Sequence, residues 1–250
     1  MFLKIVACEV FFREICYCAS RSPNHFDFDF LSQGYHDNPT IGIQRIQEQL
    51  DAVEEGRFDA ILIGYGLCNN MLNGLRAPAH TPMIIPRAHD CITFFLGSQD
   101  RYKEHFLGHP GSYYFTTGWI EHRARGGERL ERKQGAGLGM QLEYEAMVEK
   151  YGEENAKYLF EVMDGWSSKY ERGVYIDFDF SHHLPHRDKA CEQCESRGWQ
   201  YQEVAGDLSL FQRWLDGDWP AEDFLHVPAG RVVLPSFDDG VIHIAPVPQD

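Results

Sequence analysis

Residues 58–91 read FDAILIGYGLCNNMLNGLRAPAHTPMIIPRAHDC. Within this stretch AILIG (60–64) and MIIP (83–86) are short apolar runs without polar alternation, each followed by turn-forming residues. Such runs suit strands buried on both faces, the condition met in a parallel sheet covered by helices. A parallel pair needs a crossover of a dozen or more residues, so the flanking chain should supply helices. Each run also leads into a cysteine: Cys68 comes soon after AILIG, and Cys91 soon after MIIP.

Upstream, FLKIVAC (2–8) has the composition of another buried strand, and EVFFREICYCAS (9–20) that of the helix after it. HFDFDFL (25–31) alternates aromatic and acidic residues, as an edge strand with one wet face does. NPTIGIQRIQEQLDAVEEG (38–56) opens on Asn38 and Pro39, places Ile43, Ile46, Leu50 and Val53 on one face and closes on Gly56, which is helix grammar at both ends. Downstream, CITFFLGSQDRYKEHF (91–106) predicts a helix and GSYYFTTGW (111–119) a fifth strand. The alternation predicts an α/β fold: a doubly wound, mostly parallel, Rossmann-like sheet over residues 1–125.

Residues 126–250 predict a second, smaller α/β lobe, reached through the Gly- and charge-rich stretch RARGGERLERKQGAGLGM (123–140). GAGLG within it follows no predicted strand, which removes the context a dinucleotide fingerprint requires. Two helical segments, 142–152 and 153–166, precede strands in GVYIDFDF, WQYQEVAG and EDFLHVPAG and helices in DKACEQCESRGW and LSLFQRWLDGDW.

The chain has 250 residues, enough for a substantial core without disulfides. Its net charge of -15 argues against a nucleic-acid partner, whose affinity comes from Lys and Arg on phosphates. The opening FLKIVACEV is too short to span a bilayer and lacks the basic segment and cleavage site of a signal peptide. The expectation is a cytoplasmic protein with no membrane partner, a small-molecule substrate, and a homo-oligomer left open. Seven cysteines in a reducing compartment read as thiols or metal ligands rather than as a disulfide framework.

Cys8 ends its strand, and Cys68 and Cys91 lie just beyond theirs. In a parallel sheet the three should gather along the carboxyl-terminal edge, where ligands bind in open α/β sheets. Three thiolates suit a soft metal, and a zinc ion or a [4Fe–4S] cluster with one open position both fit. Core filling by small apolar residues is the competing reading. Beside them, His89 is a candidate fourth ligand or general acid/base, and Asp90 is a candidate to orient that imidazole or to accept loop amides. Arg87 has the fork to clamp a substrate carboxylate or phosphate, or to form an ion pair with Asp90. A second group, His182, His183, His186, Cys191 and Cys194, holds one C-x-x-C step where zinc modules normally carry two, so a solvated loop and helix is the preferred reading. Cys16 and Cys18 sit two apart on a helix and should diverge. Trp119 is placed to wall the cysteine pocket or simply to pack.

The motifs GYGLCNN (64–70), PRAHDCITFFLGS (86–98) and YYFTTGWIE (113–121) resemble those of the DUF1638 family of bacterial and archaeal proteins, and the resemblance covers most of the chain. The family pattern has glycine after Cys68 and before His89, where this chain has Asn69 and Ala88. Association of that family with corrinoid-dependent one-carbon metabolism implies an alternative to the metalloenzyme reading. The alternative is a non-enzymatic accessory protein of methyl transfer, with cobalamin as its cofactor.

Overall fold

The computed structural model describes residues 1–109, 111–124, 170–236 and 238–246. The chain order is β1 (Phe2–Cys8), α1 (Phe12–Ala19), β2 (His25–Leu31), α2 (Pro39–Asp51), β3 (Ala60–Gly64), β4 (Met83–Pro86), α3 (Cys91–Leu96), α4 (Gln99–Gly108), β5 (Ser112–Phe115) and α5 (Thr117–Ala124). It continues through β6 (Arg172–Asp177), α6 (His186–Arg197), β7 (Gln200–Ala205), α7 (Ser209–Asp216), β8 (Phe224–Val227), β9 (Val233–Pro235) and β10 (Ile242–Ile244). The fold is mixed α/β, built on a five-stranded, mostly parallel sheet in the order β2-β1-β3-β4-β8.

The apolar runs that opened the sequence reading occupy the middle of this sheet. β3 and β4 are buried at every position, and β1 at all but its first. The alternating strand β2 lies at one edge, as its pattern predicts, but its acidic face is not simply wet. Lys4, buried on β1 opposite Asp27, pairs with Asp27 and, at 2.8 Å, with Asp29. Lys4 on the neighbouring strand therefore compensates both carboxylates, with Arg57 3.6 Å from Asp27 as a second cation.

Two expectations are corrected by strand pairing. β5 does not join the first sheet; it pairs in parallel with β6, in a separate sheet ordered β5-β6-β7. β8, from the second half of the chain, pairs antiparallel with β4 and completes the first sheet. The first sheet thus takes one strand from beyond residue 125, and it remains mostly parallel, as the sequence predicts. Periodicity reports burial, and it carries no information on which strand lies beside which. The connecting stretch beyond Ala124, with GAGLG and the two predicted helices of 142–166, lies outside the described residues.

Phe11 packs on Phe94 at 4.6 Å and on Phe211 at 5.2 Å, and Phe94 meets Trp214 edge-on. α7 is therefore part of the first sheet's core. The predicted helix 91–106 is broken in two because Gly97 takes φ 82° and caps α3, while Ser98 accepts the Arg101 amide and starts α4. Among the described residues no helix is long and apolar enough to cross a membrane.

Where α1, α5 and α6 approach one another, Arg13 forks onto Glu121 (2.6–2.9 Å) and His186 Nε2 lies 2.9 Å from the same carboxylate. Beside them Glu14 is fully buried, and neither of its oxygens has a hydrogen-bond partner. Burial, with repulsion from Glu121 in addition, lifts its pKa to about 8, above its value in the unfolded chain. The folded state therefore keeps a proton that the unfolded state has lost. Stability should fall as pH rises from roughly 5 to 8 and level off above, by a few kcal/mol in total. Glu14→Gln should remove that slope, measured as urea unfolding free energy at several pH values; an unchanged slope would show that Glu14 is not its source.

Candidate functional site

Cys8 closes β1, Cys68 follows β3, and Cys91 opens α3 after β4. Strand direction brings the three to one edge, and their electrostatics report the proximity. As thiolates, Cys8 and Cys91, Cys8 and Cys68, and Cys68 and Cys91 would repel each other. Burial, the larger cause, and this repulsion hold all three pKa values above the usual thiol range. Without a cation the site is three neutral thiols.

The loops that carry them are locked together. Leu67 and Cys68 donate their amides to Ala88 and His89 carbonyls (2.8 and 3.0 Å), so the loop after β3 is laid along the loop after β4. Gly66 permits the approach, since a Cβ there would sit 2.7 Å from Asp90 Cα. Cys68, Asn69 and Asn70 then run in succession through positive φ, at 26°, 52° and 64°. Asparagine is among the few non-glycine residues that accept this region, which explains how Asn69 can stand where the resemblance predicts glycine. At the third cysteine, Asp90 caps α3 by accepting the Ile92 amide at 2.9 Å.

One donor faces a sulfur directly: the Trp119 indole N–H donates to Cys91 Sγ at 3.2 Å. Backbone amides also act on the thiols electrostatically, that of Val10 lowering the Cys8 pKa and those of Cys91 and Gly66 that of Cys68, against the larger effect of burial. Trp119 therefore does wall the site, but from the first turn of α5 and not from a strand end. Two further groups face the thiols without a signal in the sequence reading. His36 Nε2 lies 3.5 Å from Cys8 Sγ. The Tyr65 hydroxyl is buried without a hydrogen-bond partner, and its pKa is raised by burial and then by Cys8 and Cys68. His36 was findable by the rule that found the cysteines, because it follows the carboxyl end of β2. As the side chains stand, no group of three or more His, Cys, Asp or Glu among the described residues surrounds a common metal position.

Three residues assigned from the sequence have partners that bear on their readings. Arg87 donates its Nε to the Ala221 carbonyl at 2.9 Å and its Nη1 to those of Gly240 and Ile242 at 2.8 and 2.7 Å. It ties β4 to the C-terminal segment. It also borders an open groove of about 690 Å³ lined by Glu222, Asp238 and Asp239, whose acidity does not favour an anion, and by none of the three cysteines. Of the two roles read for Asp90, the structure shows the acceptance of a backbone amide, that of Ile92, while its second oxygen accepts the Tyr102 hydroxyl at 3.0 Å. His89 is exposed and stacks over Tyr102, 6.1 Å between centroids.

A family model described as a protein of unknown function, DUF1638, matches residues 30–215, about three-quarters of the chain. The chain belongs to the DUF1638 family. The match includes Cys68, Cys91 and Trp119 and begins after Cys8, so this DUF1638 chain draws its site from both inside and outside the matched segment. No curated protein and no solved structure matches it. The second His/Cys group of this DUF1638 protein is dispersed, and it is not simply solvated, since His186 and Cys194 are buried. His182 bonds Asp177, His183 is exposed, His186 meets Glu121, and Cys194 is buried against Gly173. Cys16 and Cys18 diverge likewise, the first half-buried and the second fully buried.

Proposed function

We propose that the protein is a metalloprotein whose Cys8, Cys68 and Cys91 hold a zinc ion or an iron–sulfur cluster at the carboxyl-terminal edge of the first sheet. The observation that carries this reading is that Cys8, Cys68 and Cys91 come from three neighbouring strand ends whose loops are hydrogen-bonded together, with the Trp119 indole N–H donating to Cys91 Sγ at 3.2 Å. A neutral thiol is a weak acceptor, whereas a metal-bound thiolate is charged and is stabilised by such a donor. The strand order β2-β1-β3-β4 supports the doubly wound reading, in which this edge is the ligand-binding one.

Metal capture requires the cysteine side chains to turn toward a common point. Holding a side chain off its preferred rotamer costs about 0.5–1.5 kcal/mol. Zinc binding at a thiolate-rich site returns about 10–16 kcal/mol, so rotation does not decide the outcome. The enzymatic part of the expectation has less to rest on, because Arg87 and Asp90 are committed to structure. The geometry favours the metal centre over an acid–base pair acting on a small anion.

The test is metal analysis and visible absorption of protein purified without oxygen. Near-stoichiometric zinc, or iron with sulfide, is the expected result, and chelation should lower the melting temperature. Protein that is metal-free as purified and takes up neither zinc nor cobalt would overturn the reading.

A further inference from the structure

The metal reading leaves the fourth ligand unassigned, and the sequence offers His89 either for that place or as a general acid/base. That imidazole is exposed and stacked on Tyr102. His36 is placed differently. It belongs to a short 3-10 turn, Gln33–Asp37, that follows β2. Glu9, the residue after Cys8, accepts the Gln33 amide at 2.8 Å and the Ser32 hydroxyl at 3.2 Å. Asn69, the residue after Cys68, donates its side-chain amide to the His36 carbonyl at 3.3 Å. The turn is therefore pinned from two sides by the sequence neighbours of two cysteines.

The distance also fits. In a tetrahedral zinc site with Zn–S about 2.3 Å and Zn–N about 2.05 Å, the sulfur and nitrogen ligands lie roughly 3.5 Å apart. Cys8 Sγ and His36 Nε2 are 3.5 Å apart. Ligand atoms this close suit one ion rather than a cluster, which keeps its ligands separated; Cys68 and Cys91 must still turn toward that ion, since as the side chains stand no group of three surrounds a common metal position among the described residues.

We infer that His36 is the fourth ligand and completes a Cys3His site for a single zinc ion. The inference rests on the metal centre proposed above and goes further, since it selects zinc over a cluster and closes the coordination sphere. A closed tetrahedral site is of the structural kind. It would tie together the loops that follow β1, β2, β3 and β4.

The experiment is titration of the full-length apoprotein with Co²⁺ without oxygen, followed by competition with Zn²⁺. The parent should take up one equivalent with the thiolate charge-transfer and ligand-field bands of a tetrahedral site. His36→Ala should lose more affinity than the ~10–100-fold that follows loss of an outer-shell partner, and its spectrum should change as water replaces imidazole. His36→Cys should restore tight binding with stronger charge transfer, which separates a lost ligand from a misfolded chain. His89→Ala should match the parent. If His36→Ala keeps the parent's affinity and spectrum while Cys91→Ala does not, the contact is only a hydrogen bond and the inference fails with the metal centre intact. If the parent binds neither ion, both fail.

Discussion

Alanine at Cys91 should strip most of the metal from protein that carries it as isolated, while alanine at His89 leaves the content unchanged. A thiolate-rich zinc site supplies about 10–16 kcal/mol, so one ligand's share is about 3–4 kcal/mol, two to three decades in affinity. Little of that loss should come from unfolding, since Cys91 contributes one small buried side chain. The indole N–H of Trp119 would lose its acceptor at 3.2 Å, a cost on the order of 1 kcal/mol against a weak sulfur partner. His89 presents only an exposed ring above Tyr102. Metal analysis after gel filtration checks the pair. Equal metal in both variants would mean that Cys91 is a packed thiol; equal loss in both would put His89 in the coordination sphere.

Gly118→Ala should destabilise the protein more than any other single methyl added near the site. Its Cβ would lie 1.8 Å from the Val10 carbonyl oxygen and 2.5 Å from the carbonyl carbon, so backbone has to move. The cost should reach or exceed the upper end of ordinary overpacking, about 3 kcal/mol, which for a chain of this size lowers Tm by about 10 °C. Because α5 would be pushed off the turn that follows Cys8, Trp119 would also be drawn away from Cys91, and metal affinity should fall with stability. Gly56→Ala is the control. Gly56 has φ +74° and open space around its Cβ position, so that variant incurs only the backbone cost of about 1–2 kcal/mol. Equal melting temperatures for the two variants would show that α5 can back away freely.

Much of the first sheet was legible because its strands carry their burial in their composition. β1, β3 and β4 are apolar throughout, and the edge position of β2 followed from its alternation. The caps of α2 were legible for the same local reason: Asn38 accepts the Ile41 amide and Pro39 stands in the first turn. The short strands β9 and β10, three residues each, are too brief to leave a periodic signal.

The site was half legible. Direction along a parallel sheet is enough to place Cys8, Cys68 and Cys91 on one edge, whereas the sequence left Trp119 open between a wall of the pocket and ordinary packing, and placed it at a strand end where the structure has the first turn of α5. The same rule applied to β2 reaches His36, five residues beyond Leu31. Its turn, SQGYHDN, has the composition of an ordinary loop. Tyr65 gave no signal of its own, since a buried hydroxyl without a partner is a property of the surroundings and not of the residue.

By itself, then, the sequence determined most of the longer strands and helices among the described residues, which strands of the first sheet are buried, and that three cysteines lie at strand ends. Those properties depend on local composition and period. Only the tertiary structure decided that β5 leaves the first sheet, that β8 enters it antiparallel, that Arg87 is consumed by backbone carbonyls of residues 221–242, and that His36 rather than His89 meets a cysteine. Each of those is a pairing between groups far apart in the chain. It is chosen by which contacts can be satisfied together, and no local pattern records that choice.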